Sequence, residues 1–505
     1  MDNFGVRDVV TDPPCGEGDL GHPLPDSPYA VSVALPHWEH VIGYEEGAPK
    51  VLDKLRTGYP RFFVPRIVRQ LEIQCLSEIG AGSDELCSIY PDEITAERCA
   101  GYIRERTDGW PVRTERLHDK GVVAVVFPAQ IHRVAADYWR YCGEGISARH
   151  ATFLLGQGEC RQGEGLDARA ELRDGIAKDC GQGSQDVFLF SSGMAAVSAV
   201  HRALNAFAPG MRSVQFDFPY VDVLRTQREM GDGNVFFPIG DADALRELRQ
   251  LVESDSPPCG VYCELPSNPL LRSVDLPAIA EITRPFGIPI VVDDTVATNL
   301  NVDVFEYADI VTTSLTKYYS GKGDVLAGAV TVNEASPLSA KFRVALADGN
   351  GDKSLWDEDA ITLLENSRDY HQRMERINET TPRLVNWLET HPAVERIWYP
   401  AGETRQCYDM VRRPGGGYSG LLSLLLRDAG NNSAKFYDAL EICKGPSLGA
   451  NFSLACPYMF LAHYQELDWC ESLGLSRWLI RVSVGLEDFT DLRDRLERAF
   501  AAIGH

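Results

Sequence analysis

The stretch Ile288-Pro289-Ile290-Val291-Val292-Asp293, followed after one more apolar run by Ser314-Leu315-Thr316-Lys317-Tyr318-Tyr319-Ser320-Gly321, decides the fold. An unbroken apolar run of this length reads as a strand covered on both faces, which is the signature of a parallel sheet. Such sheets present their functional side chains at the carboxyl ends of the strands, where Asp293 stands. An acid at a strand end and a hydroxyl-flanked lysine together supply what an aldehyde-bearing heterocycle needs. The amine forms a Schiff base with the aldehyde, and the carboxylate keeps the pyridine nitrogen protonated so that the ring accepts electrons. Ser314 and Thr316 offer hydroxyls to a phosphate. The expected cofactor is pyridoxal 5'-phosphate. The plainer alternative makes Lys317 a solvated loop lysine and Asp293 a helix N-cap, which is what each residue favours in isolation.

Outward from this stretch, short apolar runs at residues 187–190, 213–216, 235–237, 260–265, 288–292, 309–313 and 327–331 alternate with helical patterns such as 194–207, 242–252 and 277–284. The pattern predicts an α/β fold: a large domain with a mostly parallel seven-stranded sheet, helices on both faces. A long helical region over 355–391 leads to strands at 396–399, 420–425 and 479–483 and a closing helix at 488–502, a smaller C-terminal α+β domain. Upstream, a strand at 122–127 and helices near 64–76 and 148–155 are interpretable. Residues 1–30 read as a mobile or surface-draped arm, and 157–185 as a linker or a variable helix. The resulting division is 1–150 as N-terminal arm and extension, 151–355 as the cofactor-binding domain and 356–505 as the C-terminal domain.

Over 505 residues, 44% hydrophobic and 24% charged content is that of a globular protein with a large core. A formal charge of -24 disfavours nucleic acid and anionic membranes, and no basic run offsets it. No apolar run approaches the ~20 residues of a membrane span, and Met1-Asp2-Asn3-Phe4-Gly5 lacks the form of a signal peptide. A cytoplasmic location is expected. The thirteen cysteines form no C-x-x-C pair and read as reduced thiols, with no metal site.

Four further groups of residues carry chemistry. Ser191-Ser192-Gly193-Met194 lies where a strand enters a helix, so the amides of Gly193 and Met194 suit either a phosphate cup or mere capping. Tyr220 follows a strand and reads as a ring that stacks on a flat cofactor or as a packed core tyrosine. Asn268, on the stiffened turn Pro266-Ser267-Asn268-Pro269, is either a donor to a phenolic oxygen or an Asx turn. Arg481 sits inside the apolar strand Ile480-Arg481-Val482-Ser483 and needs an anion there, a substrate carboxylate or a core acid.

In this order the motifs resemble those of the cystathionine γ-synthase-like family of pyridoxal-phosphate enzymes, the Cys/Met-metabolism group of fold type I. The resemblance spans about residues 130–503. It rests on Ser192-Gly193-Met194, Pro266-Ser267-Asn268-Pro269, Val292-Asp293-Asp294-Thr295, Ser314-Leu315-Thr316-Lys317, Ser447-Leu448-Gly449 and Arg481-Val482-Ser483-Val484-Gly485-Leu486-Glu487-Asp488. Gly58-Tyr59-Pro60-Arg61-Phe62-Phe63 and Gly143-Glu144-Gly145-Ile146-Ser147 look like the fungal-type members. The resemblance implies Lys317 and Tyr220 as catalytic residues, Lys317 carrying the cofactor and Tyr220 stacking on its ring, with Asp293 on the pyridine nitrogen. It implies Gly193, Met194, Ser314 and Thr316 on the phosphate, Asn268 on the phenolic oxygen, and Arg481 with Ser447 on the substrate carboxylate. The family takes a Tyr-x-Arg pair from a neighbouring subunit to the phosphate, and Tyr138 with Arg140 match it loosely. Asp294 replaces the usual Asn, and Tyr220-Val221-Asp222-Val223 replaces the common Tyr-Gly-Gly-Thr.

The implied reaction is γ-replacement on an O-acylated homoserine through a vinylglycine-type intermediate, with a thiol or a carbon nucleophile adding at Cγ. A lyase that opens a thioether by β or γ elimination, and a non-catalytic relative, are the rival readings. A homodimer or homotetramer with the active site at a subunit interface is the expected assembly, with small-molecule substrates and neither nucleic acid nor membrane as partner.

Overall fold

The computed structural model describes residues 5, 7–161, 163–348 and 354–505. The N-terminal readings at Met1-Asp2-Asn3-Phe4 lie outside the described residues. Three sheets organise the chain. The first joins strands β1 (Glu85–Tyr90), β2 (Arg113–Leu117) and β3 (Val122–Pro128) in the order β1-β3-β2, all antiparallel. β3, apolar throughout and buried along its whole length, is central because both of its edges and both of its faces are covered.

The second sheet holds the seven strands read from the sequence: β4 (Val187–Phe190), β5 (Ser213–Phe216), β6 (Asn234–Phe237), β7 (Val261–Glu264), β8 (Ile290–Asp293), β9 (Ile310–Thr313) and β10 (Gly328–Val332). Their order is β4-β10-β9-β8-β7-β5-β6, parallel from β9 through β6, with β10 antiparallel to both neighbours. Register places Glu264 of β7 beside Asp293 of β8 and Asp293 beside Thr312 of β9. The acids therefore emerge together at one edge. The helix Gly193–Phe207 covers one face, its Ala195, Ala196, Ala199 and Ala203 small enough to sit close over Phe190, Val291 and Val330.

The third sheet, β11 (Val394–Trp398), β12 (Leu421–Leu426), β13 (Cys443–Lys444), β14 (Leu454–Pro457) and β15 (Ile480–Ser483), has the order β11-β12-β15-β14-β13. β13 and β14 were not legible as strands, one being two residues long and the other running into Pro457. The helix Tyr370–Thr390 and the closing helix Phe489–Ala501 pack here around Leu384, Leu422, Phe436 and Phe500.

Two readings left open resolve to one of their alternatives. The arm is ordered well before residue 29, because Val9 and Leu24 are buried against Ala450, Phe452 and Leu454, and the Val31 amide donates to Gly323 O at 2.8 Å. Within 157–185 the helix alternative is the one adopted, over Glu164–Cys180. Its Ala168, Leu172 and Ile176 face the core, and Arg169 pairs with Asp357 at 2.6 Å. All thirteen cysteines are free thiols. Among the described residues, no helix is long and apolar enough to cross a membrane, and no cluster of His, Cys, Asp or Glu forms a metal site.

Candidate active site

A cavity of about 1060 Å³, its mouth included, opens where the carboxyl ends of β7, β8 and β9 meet the loop between β13 and β14. Gly193, Met194, Tyr220, Asn268, Asp293, Ser314, Lys317, Ser447 and Arg481 all line it. The fold thus gathers residues separated by almost three hundred positions around one space. Tyr59, Arg61 and Glu264 line it as well.

Lys317 lies on the turn after β9. Its Nζ donates to Ser447 Oγ at 2.8 Å and stands 4.5 Å from the centre of the Tyr59 ring. Burial lowers its pKa, Tyr59 working the other way and the Arg481 and Arg61 cations adding to the lowering. Burial also acts to raise the Tyr59 phenol, but Lys317 and Arg61 outweigh it and bring it below its ordinary value. The amine and the ring thus lie against each other inside the cavity.

Asp293 is the last residue of β8. Thr295 N donates to its Oδ1 at 2.9 Å and Thr312 Oγ1 to its Oδ2 at 3.2 Å. Burial raises its pKa, and those donors partly restore the charged form. Neighbouring Asp294 is pushed up to about 7 by burial, against a 2.5 Å hydrogen bond from Thr313.

At the opposite wall, Ser192 caps the helix Gly193–Phe207 by accepting from Ala195 N at 3.0 Å. The Gly193 and Met194 amides stand in the first turn of the helix, where no intrahelical acceptor exists and an anion is favoured. A Cβ on Gly193 would lie 2.7 Å from that of Ser314, so the close approach of these two walls requires glycine. The Ser314 amide donates to Thr295 Oγ1 at 2.7 Å.

Arg481 projects from β15 and is buried. Its two terminal nitrogens donate to Asn268 Oδ1 at 3.1 Å and to Ser447 O at 2.7 Å. Among the described residues no Asp or Glu forms an ion pair with it. A buried guanidinium whose hydrogen bonds go to neutral oxygens, and which lies over the Tyr458 ring at 4.6 Å, has no carboxylate at ion-pair distance, a costly arrangement unless a ligand supplies the anion. The structural ion pair left open above is therefore not what the strand holds. Ser447 itself has φ +87, in the region that favours glycine, two residues before Gly449 at φ +71. A Cβ on Gly449 would meet Tyr318 N at 2.8 Å and Lys317 C at 3.1 Å. Gly449→Ala is expected to lose about 1–3 kcal/mol of stability, read as a lowered Tm.

Three sequence expectations are corrected. Thr316 donates to Ala327 O at 3.2 Å and accepts from Ala327 N at 3.0 Å, so its hydroxyl is used in pinning the lysine turn and does not face the cavity. Tyr138 is buried in the N-terminal unit among Tyr90, Tyr102 and Ile103, its hydroxyl donating to Glu144 at 2.9 Å. Arg140 lies outside the cavity, with Nε on Asp222 at 2.9 Å. The Tyr-x-Arg spacing is met instead by Tyr59-Pro60-Arg61, whose Arg61 donates to Asp222 Oδ2 at 2.8 Å and to Tyr220 Oη at 2.5 Å. The fully buried Asp222 carboxylate thus holds both arginines, and their charges outweigh burial to keep its pKa low. Sequence reasoning also missed Glu264, which accepts the Tyr220 amide at 2.5 Å and which burial raises far above the carboxylate range, Asp293 adding to it.

The side chains present fit pyridoxal phosphate: a buried amine, a carboxylate across the cavity from it, an aromatic wall at Tyr220, and an anion position made by a helix N-terminus and Ser314. The comparisons agree. A family model described as Cys/Met metabolism PLP-dependent enzyme matches residues 169–501, and one described as fungal trans-sulfuration enzyme, N-terminal domain, matches residues 67–147. A cystathionine gamma-synthase of Neurospora crassa is 31% identical, over 95% of this chain and 98% of its own. An L-2-amino-4-chloropent-4-enoate dechlorinase/desaturase of Streptantibioticus cattleyicolor is 34% identical, over 95% and 98%. The solved cystathionine gamma synthase of Xanthomonas oryzae pv. oryzae in complex with cystathionine superposes with a TM-score of 0.58 at 26% identity, over 66% of this chain and 87% of that one. The chain is a member of the Cys/Met metabolism PLP-dependent enzyme family, of the cystathionine γ-synthase-like kind, with a fungal trans-sulfuration N-terminal domain ahead of its catalytic fold.

Proposed function

We propose that the enzyme catalyses γ-substitution on an O-acylated homoserine, exchanging the acyloxy group at Cγ for a thiol or a carbon nucleophile. The observation that carries this reading is the buried Arg481 guanidinium, in ion pair with no acid among the described residues, lining the same cavity as the Lys317 amine. An anionic group held by Arg481 and Ser447 sets an amino acid with its Cα beside Lys317 Nζ. When bound, pyridoxal phosphate supplies the electron sink that makes the Cα and Cβ protons acidic.

The protein's part is to hold and move protons. Asp293 would hold the pyridine nitrogen and Tyr220 would stack on the ring. Gly193, Met194, Ser314 and Arg61 would hold the phosphate, and Asn268 the phenolic oxygen. Lys317, its pKa lowered by burial, is the base at Cα and then at Cβ, with the Tyr59 ring beside it. The chemistry is drawn to Cγ by similarity to cystathionine gamma-synthases and to a dechlorinase whose substrate carries its chlorine on C4.

The test is to incubate the purified holoenzyme with O-acetylhomoserine and a panel of thiol and carbanion donors, reading products by mass. A new bond at Cγ is expected. Release of ammonia and a keto acid with no nucleophile incorporated would replace this reading with the elimination lyase. We further infer a homodimer or homotetramer and a cytoplasmic enzyme, the latter in keeping with thirteen unpaired cysteines.

A further inference from the structure

One buried acid beside the cavity takes no part in the steps above. Asp222 stands in the first turn of the helix Val221–Glu229, its side chain wholly inaccessible, at a position where Tyr-Gly-Gly-Thr would put glycine. This helix packs through Val223 on Met194 and Val197, against the first turns of the helix Gly193–Phe207. Asp222 Oδ2 accepts from Arg61 Nη1 at 2.8 Å, and Oδ1 accepts from Arg140 Nε at 2.9 Å. The two guanidiniums arrive from different parts of the chain. Arg61 belongs to the segment that precedes the N-terminal sheet, while Arg140 lies in the last turn of the helix His132–Cys142, inside the trans-sulfuration N-terminal domain. The end of that helix is tied to the same corner twice more. Thr226 Oγ1 donates to Tyr141 O at 3.1 Å, and Ser192 Oγ to Gly143 O at 2.9 Å.

Arg61 is buried and lines the cavity with Tyr220, Gly193 and Met194. It also donates to Arg140 O and to Tyr220 Oη, and among the described residues its ion pair is with Asp222 alone. An arginine side chain is long and rich in rotamers, and its planar fork grips an oxyanion only from a narrow range of directions. A carboxylate fixed in a helix turn and withdrawn from water restricts that fork to one direction. The second oxygen of the same carboxylate is held by Arg140, so the acid is itself fixed from the side of the N-terminal domain.

We propose that Asp222 is a positioning residue for the cofactor's phosphate, fixing the Arg61 guanidinium beside the N-terminus of the helix Gly193–Phe207. The inference rests on the assignment of Arg61 to the phosphate made above. Asp222 acts through Arg61, and through Arg140 it makes the N-terminal domain part of the cofactor site. A merely structural role would join the helices and leave the phosphate's share of cofactor binding as it is.

The experiment strips the full-length chain of cofactor and titrates it with pyridoxal 5'-phosphate and with pyridoxal, which lacks the phosphate, reading the absorbance of the bound ring. The ratio of the two dissociation constants isolates the contribution of the phosphate. Asp222→Asn is expected to lower that ratio about tenfold, near the lower end of what a hydrogen bond to a charged group contributes, and Arg61→Gln about 10- to 100-fold. With Arg61→Gln already in place, adding Asp222→Asn is expected to change the ratio no further, because the group it acts through is gone. Asp222→Glu keeps the charge and both partners but displaces Arg61 by one methylene, and an intermediate ratio is expected.

A ratio unmoved by Asp222→Asn while Arg61→Gln lowers it, or a further fall when the two are combined, overturns the proposal. Should Asp222→Asn yield no folded protein, Asp222→Glu decides: a lowered ratio supports the positioning role, and the wild-type ratio overturns it. An Arg61→Gln protein with the wild-type ratio shows instead that Arg61 does not hold the phosphate, and the role of Asp222 falls with that assignment.

Discussion

Lys317→Ala is expected to lower turnover by at least about 10³-fold and to erase the absorbance near the edge of the visible that the bound cofactor gives the wild type. The size follows from the two tasks that the Nζ performs, attaching the cofactor and carrying protons. Neither has a substitute nearby: the other basic side chains lining the cavity, Arg61 and Arg481, carry guanidinium groups and no amine. Lys317→Arg is expected to fail equally, which separates the need for a neutral amine from the need for a charge.

The wild-type pH profile gives the same test without a mutation. Because burial depresses the lysine pKa, the amine released when the substrate takes its place is unprotonated above that depressed value, and kcat falls as pH drops through it. The limb therefore lies below the ~10.4 of an ordinary lysine. A Lys317→Ala protein that kept its colour and its activity would sink the assignment.

The sheet was legible because buried parallel strands are written as continuous apolar runs, and seven of them stand between recognisable helices. Asp293 and Lys317 were legible for the same reason, since strand ends mark where the fold must put its chemistry. Side-chain direction within a turn was not. Ser314 and Thr316 are equivalent in the sequence, yet one faces the cavity while the other closes the turn on Ala327. Tyr-x-Arg occurs three times, at Tyr59-Pro60-Arg61, Tyr102-Ile103-Arg104 and Tyr138-Trp139-Arg140, and nothing local distinguishes them. The difference is tertiary: Tyr138 fills a core with Tyr90 and Tyr102, while the first pair is drawn into the cavity by Asp222.

The helix Glu164–Cys180 was obscured by its composition. Its buried face is built largely of alanine and glycine, because Gly165 comes so close to Asp357 that a Cβ would lie 2.3 Å from its carboxyl carbon. Small residues make close packing possible and leave a weak periodic signal.

Arg481→Leu is expected to lower kcat/KM for the amino-acid substrate about 10²- to 10³-fold, through KM in the main, while the cofactor absorbance stays. The estimate is that of removing one partner from a desolvated carboxylate–guanidinium pair, about 2–5 kcal/mol. Stability should move differently. Removing half of a structural ion pair leaves a buried charge alone and lowers Tm strongly, but in the free enzyme Arg481 has no acid to abandon. Leucine in the apolar strand Ile480–Ser483 leaves Asn268 Oδ1 and Ser447 O without donors, yet it also removes an uncompensated cation. The net change in Tm should therefore be small while the kinetic loss is large. Arg481→Lys keeps the charge without the fork and should recover only part of the activity, since a point charge cannot hold the substrate and Asn268 in one plane. A large fall in Tm with KM unchanged would mean that Arg481 serves the C-terminal sheet and not the substrate.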